Sequence, residues 1–221
     1  MIITIDGPAG TGKSTVAKRV AEQLGYTFFD TGAMYRAVTY DLLKNGIPLN
    51  DTIAIENYLI EFRYHIETRY GEKHYYIGDE EVTSQIRSAD VTTHVSEVSA
   101  AKSVRDAMVS LQRRLGHDVD AVFEGRDMGA VVFPDADIKV YLDASPEIRA
   151  QRRYDELVGK DPRNARDFDI KHVLDDIIRR DTYDSSREHS PLRQPDDAHY
   201  LDTTEMSIDD VVKDIVSCSK R

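Results

Sequence analysis

The sequence predicts an α/β protein built on a parallel sheet with helices on both faces. Short apolar, β-branched runs recur along the chain, and stretches with a 3.6-residue apolar period lie between them. The first run leads directly into a glycine-rich turn and then a helical pattern. Strands alternating with helices in this way bury both faces of a parallel sheet.

The strand candidates are residues 2–5, 26–29, 121–123, 138–142 and 198–201. In the helical stretch 13–24, Val16, Ala17, Val20, Ala21 and Leu24 form one apolar stripe. In 170–178 the stripe is Ile170, Val173, Leu174, Ile177 and Ile178. In 208–216 it is Ile208, Val211, Val212, Ile215 and Val216, preceded by Ser207 with Asp210 three residues on, the spacing of a capping box. Residues 62–82 read differently. Phe62, Tyr64 and Ile66 alternate, Tyr70-Gly71 breaks the run, and Tyr75 and Ile77 resume it, which predicts a small antiparallel insert. One long helix is predicted over roughly 90–115, stopped by Gly116. No repeat, low-complexity tract or Pro/Gly linker divides the 221 residues, so a single domain with insertions is expected.

With 40% hydrophobic and 31% charged residues, the chain has enough apolar surface to bury a core without disulfides. Its 29 basic and 40 acidic side chains give a formal charge of −11, which disfavours duplex nucleic acid and anionic membrane as partners. The single cysteine, Cys218, excludes an internal disulfide framework and reads as a small packing residue. No basic leader precedes residues 2–5, and no apolar stretch reaches the roughly 18 residues of a membrane span. The expectation is a cytoplasmic protein.

Gly7-Pro8-Ala9-Gly10-Thr11-Gly12-Lys13-Ser14, followed by Thr15, matches G-x-x-x-x-G-K-[ST] and falls between a predicted strand and a helix. Each part has a physical task. The glycines let successive N–H groups face one anion, and the helix that follows adds its positive dipole end. Lys13 reaches the β- and γ-phosphates, and the Ser14 hydroxyl ligates Mg²⁺. The motif predicts ATP or GTP binding. There is no N-K-x-D string of the kind that reads guanine in small GTPases. Asp143 ends an apolar strand run and resembles a magnesium-strand aspartate, but Ser145-Pro146-Glu147 starts a helix immediately after it, so Asp143 reads as structural.

Arg149, Arg152 and Arg153 stand at i, i+3 and i+4 on one helix face. Arg163 and Arg166 follow in a helix-breaking stretch, and Arg180, Asp184 and Arg187 lie at i, i+4 and i+7 further on. Away from a phosphate loop these would be solvated charge pairs. Beside one, they suit phosphoryl transfer, because the guanidinium fork matches a group whose charge spreads over three equatorial oxygens. The seven histidines (65, 74, 94, 117, 172, 189 and 199) show no H-E-x-x-H or similar spacing, so no protein metal cage is expected.

Beyond the phosphate loop, three strings are more specific. They are Asp30-Thr31-Gly32-Ala33-Met34-Tyr35-Arg36, Glu124-Gly125-Arg126-Asp127-Met128-Gly129 and Arg180-Asp181-x-x-Asp184-x-x-Arg187. With them the chain resembles the bacterial cytidylate kinases nearly end to end. One departure is Thr31, where members of that family often carry Ser; the hydroxyl survives. The resemblance implies a P-loop kinase with a five-stranded parallel core, a monophosphate-binding insert and an arginine-rich lid at about 150–168. It implies transfer of the ATP γ-phosphoryl to CMP or dCMP by a monomer, with Mg²⁺ as cofactor. By position, the acceptor residues it implies are Thr31, Arg36, Ser96, Arg105, Arg126, Asp127, Arg180, Asp184 and Arg187. The lid arginines would come from Arg149, Arg152, Arg153, Arg163 and Arg166.

These assignments have their own chemistry. A carboxylate such as Asp127 suits the N4 amine of cytosine, and Arg105 with Ser96 suits O2 and N3. Arg180 and Asp184 would hold the sugar hydroxyls. Arg36 and Arg126, with Arg187 nearby, would clamp the acceptor phosphate. The plain alternatives are that Arg126 and Asp127 pair with each other at a strand end, and that Ser96 and Arg105 are ordinary exposed helix residues. For function, the alternatives are a P-loop kinase acting on UMP, AMP or a non-nucleotide alcohol, or a nucleotide-dependent switch.

Overall fold

In the computed structural model, which describes residues 1–160, 162, 169–187 and 190–219, the sheet forms around the first strand. β1 (Ile2–Asp6) is central because both its faces are apolar or small: Ile3, Thr4 and Ile5 are wholly buried. It pairs in parallel with β6 (Ala121–Glu124) on one side and β7 (Ile138–Asp143) on the other, and β8 (His199–Asp202) pairs in parallel with β7. With β2 (Thr27–Asp30) at the far edge, the five strands run in the order β2-β6-β1-β7-β8. The chain crosses to opposite sides of β1 in this order. The carboxyl ends of β1, β6 and β7, carrying Asp6, Glu124 and Asp143, therefore border the crevice where open α/β sheets bind ligands.

Contacts divide the chain into two compact units, residues 1–29 with 116–221, and residues 30–115. In the first, α1 (Lys13–Leu24) and α8 (Ile208–Cys218) lay their apolar stripes on the sheet, where Val16, Val20, Val211 and Ile215 join Ile3, Ile5, Val140 and Leu142 in one core. Ser207 caps α8, accepting from the Asp210 amide at 3.2 Å. α6 (Pro146–Lys160) packs against α7 (Ile170–Ser185). No helix among the described residues is long and apolar enough to cross a membrane.

In the second unit, α2 (Thr31–Lys44) is capped by Asp30, whose carboxylate accepts from the Ala33 amide at 2.9 Å and pairs with Arg87 at 2.9 Å. α3 (Thr52–Glu61) is capped in the same way by Asp51. β3 (Tyr64–Arg69), β4 (Glu72–Ile77) and β5 (Glu80–Glu81) make a three-stranded antiparallel sheet. Tyr70 and Gly71 join β3 to β4 with φ of 53° and 81°, the positive pair a two-residue hairpin demands. Its alternating aromatic residues pack on Ala33 and Ala37 of α2 and on Ile86.

The long helix expected over 90–115 is two helices, α4 (Ala89–Val98) and α5 (Lys102–Leu115). The break has local causes. Five of the ten residues of α4 are Val or Thr, which resist helix extension, and the Ser99 hydroxyl bonds the Ser96 carbonyl at 3.0 Å instead of leaving it to the helix ladder.

Leu142 on β7 is fully buried in the core that α1 and α8 form against the sheet. Leu142→Ala is expected to cost about 2–5 kcal/mol, read as a lowered midpoint in urea unfolding.

Candidate active site

The loop after β1 is shaped by close approach. A Cβ on Gly7, whose φ is 144°, would strike the Leu142 carbonyl of the neighbouring strand, so only glycine fits. Gly10 and Gly12 continue at φ of 81° and 88°, and Gly12 hands the chain into α1. Lys13, 5% exposed, folds over the loop and donates to the Pro8 carbonyl at 2.6 Å. Burial pushes its ammonium down to about 7, the Arg126 charge adds to that, and Glu124 works against it.

The Ser14 hydroxyl donates to Glu124 Oε1 at 2.6 Å. Glu124 ends β6, the strand beside β1, and sequence reading passed over it because 110 residues separate the pair. Asp143, the acid the sequence does flag, spends its carboxylate on the Ala144 amide at 2.8 Å and its carbonyl on the Thr203 amide, a structural role as read.

Asp6 is a second residue that sequence reading missed. Its two carboxylate oxygens accept from the amides of Met128 at 2.9 Å and Gly129 at 2.8 Å. Burial raises its pKa to about 7 and the nearby Asp127 adds to the rise, while the two amides oppose it. The Asp6 carboxyl thus anchors the segment that follows Asp127, which turns as a short π-helix over Met128–Val132 and closes on the Met128 carbonyl through the Phe133 amide at 2.7 Å. Asp127 itself is 2% exposed.

Arg126 reaches from the end of β6 to α7. Its Nε donates to Asp184 Oδ2 at 3.2 Å. Arg187 donates to the other oxygen of Asp184, and Arg180 Nε lies 3.9 Å from the first. Three guanidinium groups therefore converge on one carboxylate that is 1% exposed.

The arginines of α6 part company. Arg149 is buried, holding the Ala9 carbonyl of the phosphate loop at 3.1 Å and the Ala144 carbonyl at 2.9 Å, and it pairs with Asp181. Arg152 holds the Thr203 carbonyl at 2.6 Å and its hydroxyl at 3.0 Å. Arg153 pairs with Glu156 at 2.7 Å on the half-exposed flank. Arg163 and Arg166 lie outside the described residues.

The remaining candidates belong to the second unit. Thr31, buried, is the first residue of α2. Arg36 donates to the Ile86 carbonyl at 3.2 Å and to the Thr92 hydroxyl at 2.9 Å. Ser96 is half-buried on α4. Arg105 is 4% exposed, which removes the reading of it as a surface helix residue. It reaches back from α5 to the Ser99 carbonyl at the helix break and lies 5.8 Å from the Tyr35 ring.

A glycine-built anion loop with its lysine and hydroxyl, an acid on the adjacent strand and a group of converging arginines define a P-loop kinase, an enzyme of ATP-dependent phosphoryl transfer. The solved structure of a shikimate kinase from Bacteroides thetaiotaomicron shares the fold, with a TM-score of 0.50 at 12% identity over 100% of this chain and 99% of that one. The family model for cytidylate kinase matches residues 3–221, and the chain belongs to that family. Its relatives include the cytidylate kinase of Protochlamydia amoebophila, 51% identical over 98% of this chain and 95% of the relative. Another is that of Clostridioides difficile, 43% identical over 98% and 97%.

Two outcomes follow from the titrations. Burial lowers the Lys13 ammonium to about 7 and bound phosphates favour its charged form, so calorimetry of MgATP binding at about pH 8 in buffers of differing ionisation enthalpy is expected to show net proton uptake that is absent in Lys13→Met. The folded pKa of Asp6 lies above its unfolded value of 3.8, so the folded state binds the extra proton between about pH 4 and 7, and the stability this contributes is lost as pH rises through about 7. In pH-resolved urea unfolding, the stability of the native chain relative to Asp6→Asn is therefore expected to fall across that window.

Proposed function

We propose that the chain transfers the γ-phosphoryl of ATP to CMP or dCMP, giving ADP and CDP or dCDP. The observation that carries this reading is the family match across residues 3–221 of a chain whose phosphate loop is fully built. The acceptor oxygen of a monophosphate is already anionic at neutral pH, so the reaction needs positioning and charge neutralisation rather than a strong general base. Residues 7–15 hold the ATP phosphates, with Lys13 reaching over the β- and γ-groups. Mg²⁺ is the cofactor of this proposal. The hard oxygen donors of Ser14 and Glu124, 2.6 Å apart beside the loop, suit it, and it supplies positive charge on the phosphate oxygens.

Of the α6 arginines, Arg149 acts by fixing the phosphate loop and Arg152 by fixing the segment after β8. Arg153, which pairs with Glu156, is assigned to the charge of the transferring group; most of the lid expected over about 150–168, with Arg163 and Arg166, lies outside the described residues. On the acceptor side, Asp127 takes the cytosine amine, Arg180 and Asp184 the sugar hydroxyls, and Arg126 with Arg187 the phosphate. From the second unit, Thr31 and Arg36 serve the nucleotide and its phosphate, and Ser96 and Arg105 serve O2 and N3. A cytoplasmic location and a monomeric state, the latter as the family resemblance implies, complete the proposal.

The test is ADP release from MgATP against CMP, dCMP, UMP, dTMP, AMP, GMP and no acceptor. Release confined to CMP and dCMP is the expected result. Release with another acceptor would keep the kinase and move it to a different substrate. Turnover driven by a protein and by no monophosphate would point to a switch. In the same assay Asp127→Ala is expected to cut discrimination between CMP and purine acceptors at least about tenfold while leaving the KM for ATP near its original value.

A further inference from the structure

Away from the nucleotide-handling end of the sheet, three different ligand chemistries meet. The ligand atoms of His199, Asp214 and Cys218 all lie within 4.8 Å of one another, and His199 Nε2 is 2.8 Å from Asp214 Oδ1. All three sit on regular elements rather than loops. His199 opens β8, and the two-residue alternation of a strand puts it on the same face as Leu201, which is buried against Val211, Val212 and Ile215 of α8. Asp214 and Cys218 stand at i and i+4 on α8, along the flank of that same apolar stripe. Strand and helix thus aim nitrogen, oxygen and sulfur donors at one point. His199 pairs in register with Val140, whereas the active-site end of these strands lies three residues on, at Asp143 and Asp202.

The donor set discriminates among cations. Mg²⁺ prefers an all-oxygen octahedron that keeps several waters. An imidazole, a carboxylate and a thiolate suit a borderline-soft ion that accepts tetrahedral geometry, with three protein ligands and one open position. We propose that His199, Asp214 and Cys218 form a Zn²⁺ site that clasps the last helix, α8, to the edge strand β8. Binding expels the Cys218 thiol proton to solvent, and the ion replaces the direct bond between His199 and Asp214. Spacing along the chain gave no sign of the site, because one ligand comes from a strand and two from a helix in a different segment.

The test uses the intact chain and the metal alone, with Co²⁺ as the spectroscopic stand-in for Zn²⁺. The expected result is one equivalent of bound Co²⁺ with a thiolate-to-cobalt charge-transfer band that Zn²⁺ bleaches. The band is expected to vanish in Cys218→Ser, and the affinity to fall at least about tenfold in His199→Ala and in Asp214→Asn. The three residues are at least partly exposed, and circular dichroism of each variant reports whether it remains folded. Other surface pairs such as His74 with Glu81 or His117 with Asp118 carry no thiol and cannot produce the band. Absence of the band at stoichiometric cobalt would overturn the proposal, as would a band and affinity unchanged by His199→Ala.

Discussion

The architecture depends on one buried carboxylate at the end of the central strand. Asp6 immediately precedes the phosphate loop, and its two oxygens hold the Met128 and Gly129 amides that follow the β6 turn. Without an acceptor at that point, two main-chain N–H groups would be buried unpaired, at a cost of about 1–3 kcal/mol each. The same carboxylate sits within the electrostatic reach of Lys13 and Asp127. A single side chain therefore fixes where the phosphate loop begins and where the segment after Asp127 turns.

The sheet order explains why these groups meet at all. Pairing β1 with β6 and β7 puts Asp6, Glu124 and Asp143 at the carboxyl ends of three adjacent parallel strands. Their tasks then separate according to what each faces. Asp6 meets backbone amides, Glu124 meets the Ser14 hydroxyl, and Asp143 caps the turn into α6. Arg149 reinforces the same corner from behind, since it grips the phosphate loop through a main-chain carbonyl and Gly10 packs directly on it.

Much of the fold was legible because it is written in local periodicity. The stripe over 13–24 matches α1 residue for residue, and all five strand candidates fall within a residue or two of the observed strands. The phosphate loop was legible because its glycines answer a backbone demand that no other residue meets. What stayed hidden depends on adjacency between distant segments. Glu124 carries no flag until β6 is known to flank β1, and Arg126 meets Asp184, 58 residues further along the chain. The break at Ser99 was hidden for a different reason. The apolar period continues across it, and a single hydroxyl-to-carbonyl bond helps end the helix.

The three guanidinium groups around Asp184 carry a further consequence. Like charges held this close repel, and the carboxylate serves as a built-in counter-ion that lets them assemble during folding. The carboxylate also fixes the direction of each guanidinium fork, because all three are referred to the same two oxygen atoms. Part of the reorganisation that a flexible arginine would require at the moment of binding has already been completed in the synthesis of the fold.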